Sequence, residues 1–217
     1  MTNAGKKTEK RKGVYLHPLP VRIWHWINAL GVVILILTGA QIRYVEMFGL
    51  MSFESAVKVH NWFGLAIVAN YFLWLSYYLF SDRISNYHPM LKPKSYIKNF
   101  IKQATFYSHG IFKGEGRPHY VHPYEKFNPM QRMTYQVVML ITFPIQFITG
   151  LMLWDIKFFA SWIEFVGGIR VVSTLHVLMF TMFTFFLLVH AYMGVLGKKP
   201  STHYKEMITG YEEPGDH

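Results

Sequence analysis

Four of the eleven histidines lie inside long apolar stretches, and they carry most of the chemistry that the sequence offers. They are His25, His60, His176 and His190. An ionisable side chain inside a membrane-spanning segment is costly, so each one marks a candidate functional site. One such histidine alone is equally consistent with a neutral imidazole hydrogen-bonded across helices. As a set they are candidate ligands, because neutral imidazole binds haem iron and other metals.

The elements that must position these histidines are four apolar segments, each long enough to cross a membrane, which takes about 20 residues. We predict spans near residues 21–41, 59–80, 133–154 and 172–196. They lie in a membrane domain over residues 20–197, between a basic tail over 1–19 and a second tail over 198–217. The sequence thus predicts an all-α fold, an integral membrane four-helix bundle. Pro144 is expected to kink the third span.

The composition agrees with a membrane protein and excludes several classes of function. Hydrophobic residues make up 52% of the chain and charged residues 16%, whereas a soluble domain has roughly 25% charged residues. The chain has no cysteine, which rules out disulfides, cysteine-ligated iron–sulfur clusters, cysteine-type zinc sites and thiol nucleophiles. Histidine and methionine are the soft or borderline metal ligands that remain.

The basic residues are concentrated on one side of the predicted membrane. Of the 22 Lys and Arg residues, 18 fall in the two tails, at the start of the first span and in the middle loop over 81–132. Positive residues mark the cytoplasmic side, so both termini and the middle loop are predicted to be cytoplasmic. Because this topology explains the net charge of +10, no nucleic-acid partner is predicted.

The middle loop contains one stretch with a helical pattern, SYIKNFIKQATFY. Its apolar residues, which fall roughly on one side, are Tyr96, Ile97, Phe100, Ile101 and Ala104, whereas Lys98 and Lys102 fall on another. This spacing predicts an amphipathic helix that lies on membrane lipid at the cytoplasmic surface. A helix packed on a partner subunit has the same pattern, and both interpretations remain open.

The depths of the four histidines in the predicted bundle match in two pairs. His25 lies near the start of the first span and His190 near the end of the fourth, so these two form an inner pair at the cytoplasmic face. His60 and His176 lie near the starts of the second and fourth spans and form an outer pair at the opposite face. The fourteen residues from His176 to His190 make almost four helical turns, so both side chains project from nearly one face, about 21 Å apart along the axis.

Two imidazoles that face each other across a helix bundle are typical ligands of a b-type haem, whose iron then has no free position and only carries electrons. The sequence therefore predicts two haem b groups, one per pair. Glycines in the spans give clearance for a flat ligand or serve ordinary helix packing; they are Gly31, Gly39, Gly64, Gly150 and Gly194. The motif ILTG in the first span recurs as FITG in the third, which is a weak sign of two related hairpins.

Other ligands and metals are weaker interpretations of the same positions. Met179, Met182 and Met193 are alternative axial ligands, although methionine more often fills apolar cores. Zinc suits deep histidine pairs without an acidic partner poorly. His17 competes with His25, but prolines follow His17 closely, so it is expected to lie outside the helix.

The segments PVRIWHWINALGVVILILTG, VHNWFGLAIV, STLH and LLVHAYMG are together quite specific. They resemble the di-haem cytochrome b subunits of membrane-bound nickel–iron hydrogenases. The same family includes the gamma subunits of formate dehydrogenases and the cytochrome b subunits of thiosulfate reductases. The resemblance extends from about Val14 to Glu213 and includes YKEMITGY. It implies the same two histidine pairs, each holding one haem b.

The resemblance also implies partners and a quinone site. The partners would be a periplasmic iron–sulfur subunit and a catalytic subunit of the hydrogenase, formate dehydrogenase or reductase type. Menaquinone or ubiquinone would react near the inner haem, where FNPMQR matches the family's quinone pocket through Asn128 and Gln131, with His190 close by. Asn128 and Pro129 are also a typical N-terminal cap for the third span, so both roles remain open.

Arg22 lies one helical turn before His25, which makes it a candidate partner of an inner haem propionate or, alternatively, of a lipid phosphate. The whole pattern predicts the cytochrome b subunit of a respiratory oxidoreductase complex in a bacterial or archaeal cytoplasmic membrane. Such a subunit carries electrons between a redox partner and the quinone pool, and it is not the subunit that converts the primary substrate.

Two alternatives belong to other classes of protein. A membrane transporter or proton channel would use the histidines as a relay, but the interiors of the four predicted spans contain no Asp or Glu to line its path. A structural anchor without a cofactor would leave four deep histidines unexplained. The presence of haem in the purified protein separates these alternatives.

Overall fold

A computed structural model of the chain describes residues 14–47, 49–81, 93–116, 118, 127–196 and 199–212. Four helical segments are long and apolar enough to cross a membrane: Leu19–Arg43, Phe53–Leu79, Pro129–Trp154 and Ile169–Gly194. The predicted bundle of four spans is thereby confirmed. The second span begins at Phe53 rather than near residue 59, because Ser52 caps it by accepting a hydrogen bond from the Ser55 backbone N–H at 3.2 Å.

The elements are numbered here in chain order. The first two spans are α1 (Leu19–Arg43) and α2 (Phe53–Leu79), and α3 (Pro93–Ser108) with a 3-10 turn (Gly110–Lys113) lies in the middle loop. The third span consists of α4 (Pro129–Val137), a π-helical turn (Val138–Thr142) and α5 (Phe143–Trp154). After these come α6 (Ala160–Phe165), the fourth span α7 (Ile169–Gly194) and α8 (Thr202–Thr209). Two short strands, β1 (Val14–Tyr15) and β2 (Tyr211–Glu212), pair antiparallel.

The four spans pack as two helical hairpins joined by an aromatic core. α1 packs along α2, and α5 packs along α7. Gly31 allows α1 to approach α2 closely, since a Cβ at this position would collide with Ile67. Phe143 of α5 lies 4.7 Å from Phe183 of α7 within its own hairpin and 6.1 Å from Tyr71 of α2 in the other hairpin, measured between ring centroids. Close packing of this kind holds helices together in a membrane.

The distortion expected at Pro144 takes the form of the π-helical turn. The backbone N–H of Phe143 donates to the carbonyl of Val138, five residues back, and Pro144 has no N–H to donate. Both usual donors to the Met139 carbonyl are thereby lost, and the Tyr71 hydroxyl donates to this oxygen instead at 2.9 Å. The π-helical turn thus frees an acceptor that connects α2 to the third span.

α3 is the amphipathic helix expected in the middle loop, and it packs on the start of the third span. Tyr96 donates to the Pro129 carbonyl at 3.0 Å. Burial raises the pKa of Tyr96, which keeps this donor protonated. Ile97 and Ile101 are each 57% exposed. They leave an apolar strip of the kind that a helix lying on lipid needs.

The two tails, for which the sequence predicts no secondary structure, meet at one end of the bundle. β1 pairs with β2, with Tyr15 opposite Tyr211. Gly210 ends α8 with a φ of 88°, a left-handed conformation that favours glycine. Its carbonyl accepts hydrogen bonds from the N–H groups of Leu16 and His17 at 2.9 and 3.1 Å. The described parts of both tails therefore lie on one side of the bundle, while their cytoplasmic location stays a prediction.

Candidate functional site

The four predicted histidines come together as two pairs at opposite ends of the bundle. In the inner pair, the ring centroids of His25 on α1 and His190 on α7 are 6.0 Å apart. In the outer pair, the centroids of His60 on α2 and His176 on α7 are 6.3 Å apart. The two histidines of α7 are separated by about 21 Å of helix. Three spans thus position all four imidazoles.

The separation within each pair fits two ligands of one metal ion. A metal–imidazole bond is about 2.0–2.1 Å long, so two imidazoles on opposite sides of one metal have ring centroids roughly 6 Å apart. The measured 6.0 and 6.3 Å agree with this value. The described residues contain no cluster of three or more His, Cys, Asp or Glu side chains that would hold a metal on their own. Each pair is therefore suited to haem iron, because the porphyrin supplies the remaining ligands.

Each histidine of the outer pair is held by a threonine from the preceding span. Thr38 Oγ1 lies 2.9 Å from His60 Nδ1, and Thr149 Oγ1 lies 3.0 Å from His176 Nδ1. Each threonine also donates to the carbonyl four residues back, in both cases at 2.7 Å. A hydroxyl has one hydrogen to donate, so it accepts from the imidazole. This arrangement would place the imidazole proton on each Nδ1 and leave the lone pair of each Nε2 for a metal.

The residue after each of these threonines is a glycine that lies against the imidazole. A Cβ at Gly39 would be 3.3 Å from His60 Cε1, and a Cβ at Gly150 would be 3.2 Å from His176 Cε1. A Cβ at Gly64, one turn after His60, would have no atom of the described residues within 4 Å. These small residues keep space beside the outer pair, as a flat ligand requires.

Gln146 of α5 also reaches the outer pair. Its Nε2 lies 3.2 Å from His176 Nε2, to which it would donate when His176 carries its proton on Nδ1. Its Oε1 is buried and has no hydrogen-bond partner among the described residues. A metal bound at His176 Nε2 would take the place of this amide, so binding requires the Gln146 side chain to turn.

The inner pair has aromatic neighbours instead of threonines. The His25 ring is edge-on to Trp26 with centroids 5.3 Å apart, and His190 stacks on Phe186 at 5.4 Å. His25 Nδ1 is buried, and in the part of the chain that the structure describes it has no hydrogen-bond partner. His190 is exposed, whereas both outer histidines are half-buried. His190 is therefore the most exposed of the four, whereas His25 is half-buried like the outer pair.

α8 crosses the inner end of the bundle and connects the two helices that carry the inner histidines. Trp26 donates its indole N–H to the Met207 carbonyl at 3.0 Å. Tyr204 donates its hydroxyl to the Ala191 carbonyl at 3.3 Å. Trp26 and Ala191 are the residues that directly follow the two inner histidines. The C-terminal segment thus holds α1 and α7 at the level of the inner pair.

Nearly the whole chain matches one protein family. The profile described as prokaryotic cytochrome b561 matches residues 16–210. The chain belongs to this family. Membership in the cytochrome b561 family implies a b-type haem, and the histidine pairs fit that group. Together with the four apolar helices, it makes the chain a multi-pass protein of the bacterial inner membrane.

Individual relatives agree with the cytochrome b561 assignment. YdhU of Escherichia coli (strain K12), which carries the name of a cytochrome, is 30% identical over 210 residues, or 94% of this chain and 76% of YdhU. A "Probable Ni/Fe-hydrogenase B-type cytochrome subunit" of Rhizobium leguminosarum bv. viciae is 54% identical over 35 residues, or 16% of this chain and 15% of that protein. A protein of the same name from Rhodobacter capsulatus is 53% identical over 30 residues, or 14% of this chain and 12% of that protein. No solved structure gives a significant match.

Arg22 of this cytochrome b561 chain contacts α8. Its Nη1 donates to the carbonyl of Ile208, near the end of α8, where helix carbonyls carry a partial negative charge. Its Nε is buried without a hydrogen-bond partner among the residues that the structure describes. Arg22 thus connects α1 to the C-terminal segment, and its contact with a haem propionate stays a prediction.

Asn128 and Gln131 form a capping box at the start of α4. Asn128 Oδ1 accepts from the Gln131 backbone N–H at 2.9 Å, and Gln131 Oε1 accepts from the Asn128 backbone N–H at 3.0 Å. Asn128 Nδ2 also donates to the Tyr107 hydroxyl of α3 at 3.1 Å. The alternative role as a helix cap is therefore confirmed, whereas the quinone contact of these two residues stays a prediction.

Two features beside the histidines were not predicted from the sequence, namely the two threonines and α8. A signal for the threonines was present, since Thr38–Gly39 and Thr149–Gly150 are the shared TG of ILTG and FITG. Their role becomes visible only when the hairpins place each TG beside a histidine. α8 lies in a short polar segment after the last span, where hydropathy carries no signal and only the following Gly210 marks a helix end.

Proposed function

We propose that this chain is the membrane cytochrome b subunit of a respiratory complex and that it holds two b haems, one between each pair of histidines. The observation that carries the proposal is that two histidine pairs lie at opposite ends of one bundle. Their ring centroids are 6.0 and 6.3 Å apart, which fits one metal ion between the two imidazoles of each pair. Bound haem supplies one-electron chemistry. With two histidines to hold each haem, the chain would conduct electrons rather than activate a substrate.

The region between the pairs supports electron transfer and argues against a proton relay. Phe183 lies midway between His176 and His190 on α7, is buried, and packs on Phe143. A proton relay needs polar groups between its histidines, and neither Phe183 nor Phe143 supplies one. Haem groups held by the two pairs would be spaced by about 21 Å of helix.

We assign the inner pair to the cytoplasmic face and the outer pair to the periplasmic face. The support is the concentration of 18 of the 22 Lys and Arg residues in the tails, the first-span entrance and the middle loop. The tails meet beside the inner pair, and α4 begins at the same end. Asn128 and Gln131 therefore lie at the end where menaquinone or ubiquinone would react and take up protons from the cytoplasm.

The proposed partners are a hydrogenase-type catalytic subunit and its iron–sulfur subunit at the periplasmic face. The support is the local identity to proteins named Ni/Fe-hydrogenase B-type cytochrome subunits. In this arrangement electrons reach the outer pair from the partner and leave at the inner pair. Quinone accepts two electrons and two protons to become quinol, so charge is separated across the membrane. The subunits that copurify with the chain identify the partner. If they form a formate dehydrogenase or a reductase, the choice of a hydrogenase-type partner is wrong.

The test is a spectrum of the full-length chain purified in detergent. We expect b-type bands in the reduced-minus-oxidised difference and about two haems per chain by pyridine haemochrome assay. The variant His190→Ala is expected to lose one haem and to lose quinone-linked turnover. A folded but colourless protein would overturn the proposal in favour of a structural anchor or a relay.

A further inference from the structure

The two hairpins repeat one arrangement around the outer histidines. In each hairpin the histidine follows the first residue of its helix by seven positions, Phe53 in α2 and Ile169 in α7. In each, the Thr-Gly pair ends four positions before the last residue of the preceding span, Arg43 in α1 and Trp154 in α5. The repeated elements are Thr38–Gly39 with His60 and Thr149–Gly150 with His176. A hydrogen bond from each threonine to its own helix would not by itself bring both hydroxyls equally close to a candidate ligand.

We propose that Thr38 and Thr149 are positioning residues for the outer haem, which fix both outer histidines in the Nδ1–H form and present Nε2 to the iron. This inference rests on the proposed function, because it presumes haem between the outer histidines. It goes beyond that function by assigning the coordinating nitrogen and the residues that select it. Nothing equivalent holds His25 within the described residues, since its Nδ1 has no partner there.

The hydrogen bonds have a consequence for electron transfer. A metal-bound imidazole that donates its second N–H to an acceptor becomes a stronger electron donor to the metal. A stronger donor favours the ferric state, so the two threonines lower the reduction potential of the outer haem. The inner haem lacks this contribution at His25. Loss of either threonine therefore raises the outer potential and leaves the inner potential unchanged.

The glycines complete the arrangement by setting the ring position. A methyl group at residue 39 or 150 would lie 3.3 or 3.2 Å from an imidazole carbon, which is tighter than ordinary van der Waals contact. The imidazole would have to tilt away from its threonine. The glycine therefore helps to keep the imidazole where the hydroxyl can accept its N–H hydrogen bond, and the Thr-Gly dipeptide acts as one unit.

The test compares Thr38→Val and Thr149→Val with Thr184→Val in the full-length chain. Valine keeps the shape and removes the hydroxyl. Thr184 is the matched control. It donates to the Phe180 carbonyl at 2.9 Å in the same way, and among the described residues it makes no hydrogen bond to a histidine. The readouts are haem content and a potentiometric titration of the two haems, assigned with His176→Ala and His190→Ala. Thr38→Ser and Thr149→Ser restore the acceptor and are expected to restore both readouts.

We expect either valine variant to weaken outer haem binding about 10- to 100-fold and to shift its reduction equilibrium toward the ferrous state, where a tenfold shift is about 59 mV. Thr184→Val is expected to change neither. Two haems with unchanged content and potentials in both valine variants would overturn the inference while leaving the proposed function intact. A wild-type chain without haem would overturn the proposed function itself. If one valine variant does not fold, the other hairpin gives the same test independently.

Discussion

The outer and inner histidine pairs have nearly equal ring separations and different supports. Each outer histidine has a threonine within 3.0 Å of its Nδ1 and a glycine against its ring. The inner histidines have Trp26 and Phe186 beside them, and α8 lies across their helices. The outer pair is thus fixed by the membrane-spanning hairpins, whereas the inner pair depends on a segment that follows the last span.

The different supports of the two pairs match the two tasks that the proposed function gives them, electron transfer at the outer pair and reaction with quinone at the inner pair. A site that only passes electrons benefits from ligands held in one orientation by hydrogen bonds. A site that serves a diffusible quinone must admit that molecule from the membrane, and the exposed His190 lies on the accessible side of the bundle. We therefore expect haem binding to be disturbed more easily at the inner site than at the outer site.

The largest effect is expected from removing one ligand of each pair. His176→Ala and His190→Ala should each lose one haem, so the haem content falls to about half, and each variant should retain a different spectral component. The reason is that each histidine of α7 serves only one pair. Pyridine haemochrome assays and low-temperature difference spectra provide the measurement. Loss of both haems in each variant would show that the two sites are not independent.

A smaller and one-sided effect is expected from removing α8. Termination after residue 201 deletes the Trp26–Met207 and Tyr204–Ala191 hydrogen bonds, which hold α1 and α7 beside the inner pair. We expect inner haem affinity to fall roughly tenfold. This is the lower end of the effect of removing a hydrogen-bond partner of a metal ligand, because α8 holds the residues next to the ligands rather than the ligands themselves. The outer haem of the same sample is the internal control. Equal losses from both haems would contradict the asymmetry.

The features that the sequence predicts correctly are those set by long periodic patterns. Four apolar stretches specify four spans, and the fourteen-residue spacing in α7 puts His176 and His190 on one face. The amphipathic spacing around Phe100 likewise specifies α3. Each of these depends on local hydropathy and helical geometry alone, so no knowledge of helix contacts is needed.

The features that the sequence does not predict are those that depend on which helices touch. The hydrogen bond from His60 to Thr38 joins residues on different spans. Tyr71 finds the Met139 carbonyl only because a π-helical turn precedes Pro144. The pairing of β1 with β2 joins the two ends of the described chain. Propensity and hydropathy carry no information about such long-range pairings.

A moderate effect on the outer site alone is expected from filling the space at Gly64. The variant Gly64→Leu adds a side chain one turn from His60, where the described residues leave no atom within 4 Å of the added Cβ. We expect outer haem occupancy to fall several-fold, because the leucine occupies the space beside the ligand. Folding of the haem-free bundle should be retained, since leucine is about 1 kcal/mol better than glycine inside a helix. Full occupancy of both haems in this variant would mean that the outer haem lies on another side of His60.

The smallest effect separates the two roles of Asn128 at the inner end. Asn128→Ala removes the cap of α4 and should lower the free energy of unfolding by about 0.5–2 kcal/mol, whereas Asn128→Asp keeps an oxygen that caps equally well. Thermal unfolding in detergent measures this difference, and quinone-linked turnover is measured on the same samples.

If Asn128 also donates to quinone, the aspartate variant regains stability but not turnover, because it lacks the Nδ2 donor. Tyr107→Phe is the control, since it removes the present acceptor of Nδ2 and leaves Asn128 intact, and it should keep turnover. If turnover and stability both return in Asn128→Asp, Asn128 acts only as a helix cap and does not donate to quinone. The quinone would then have to be bound by other groups near the exposed His190.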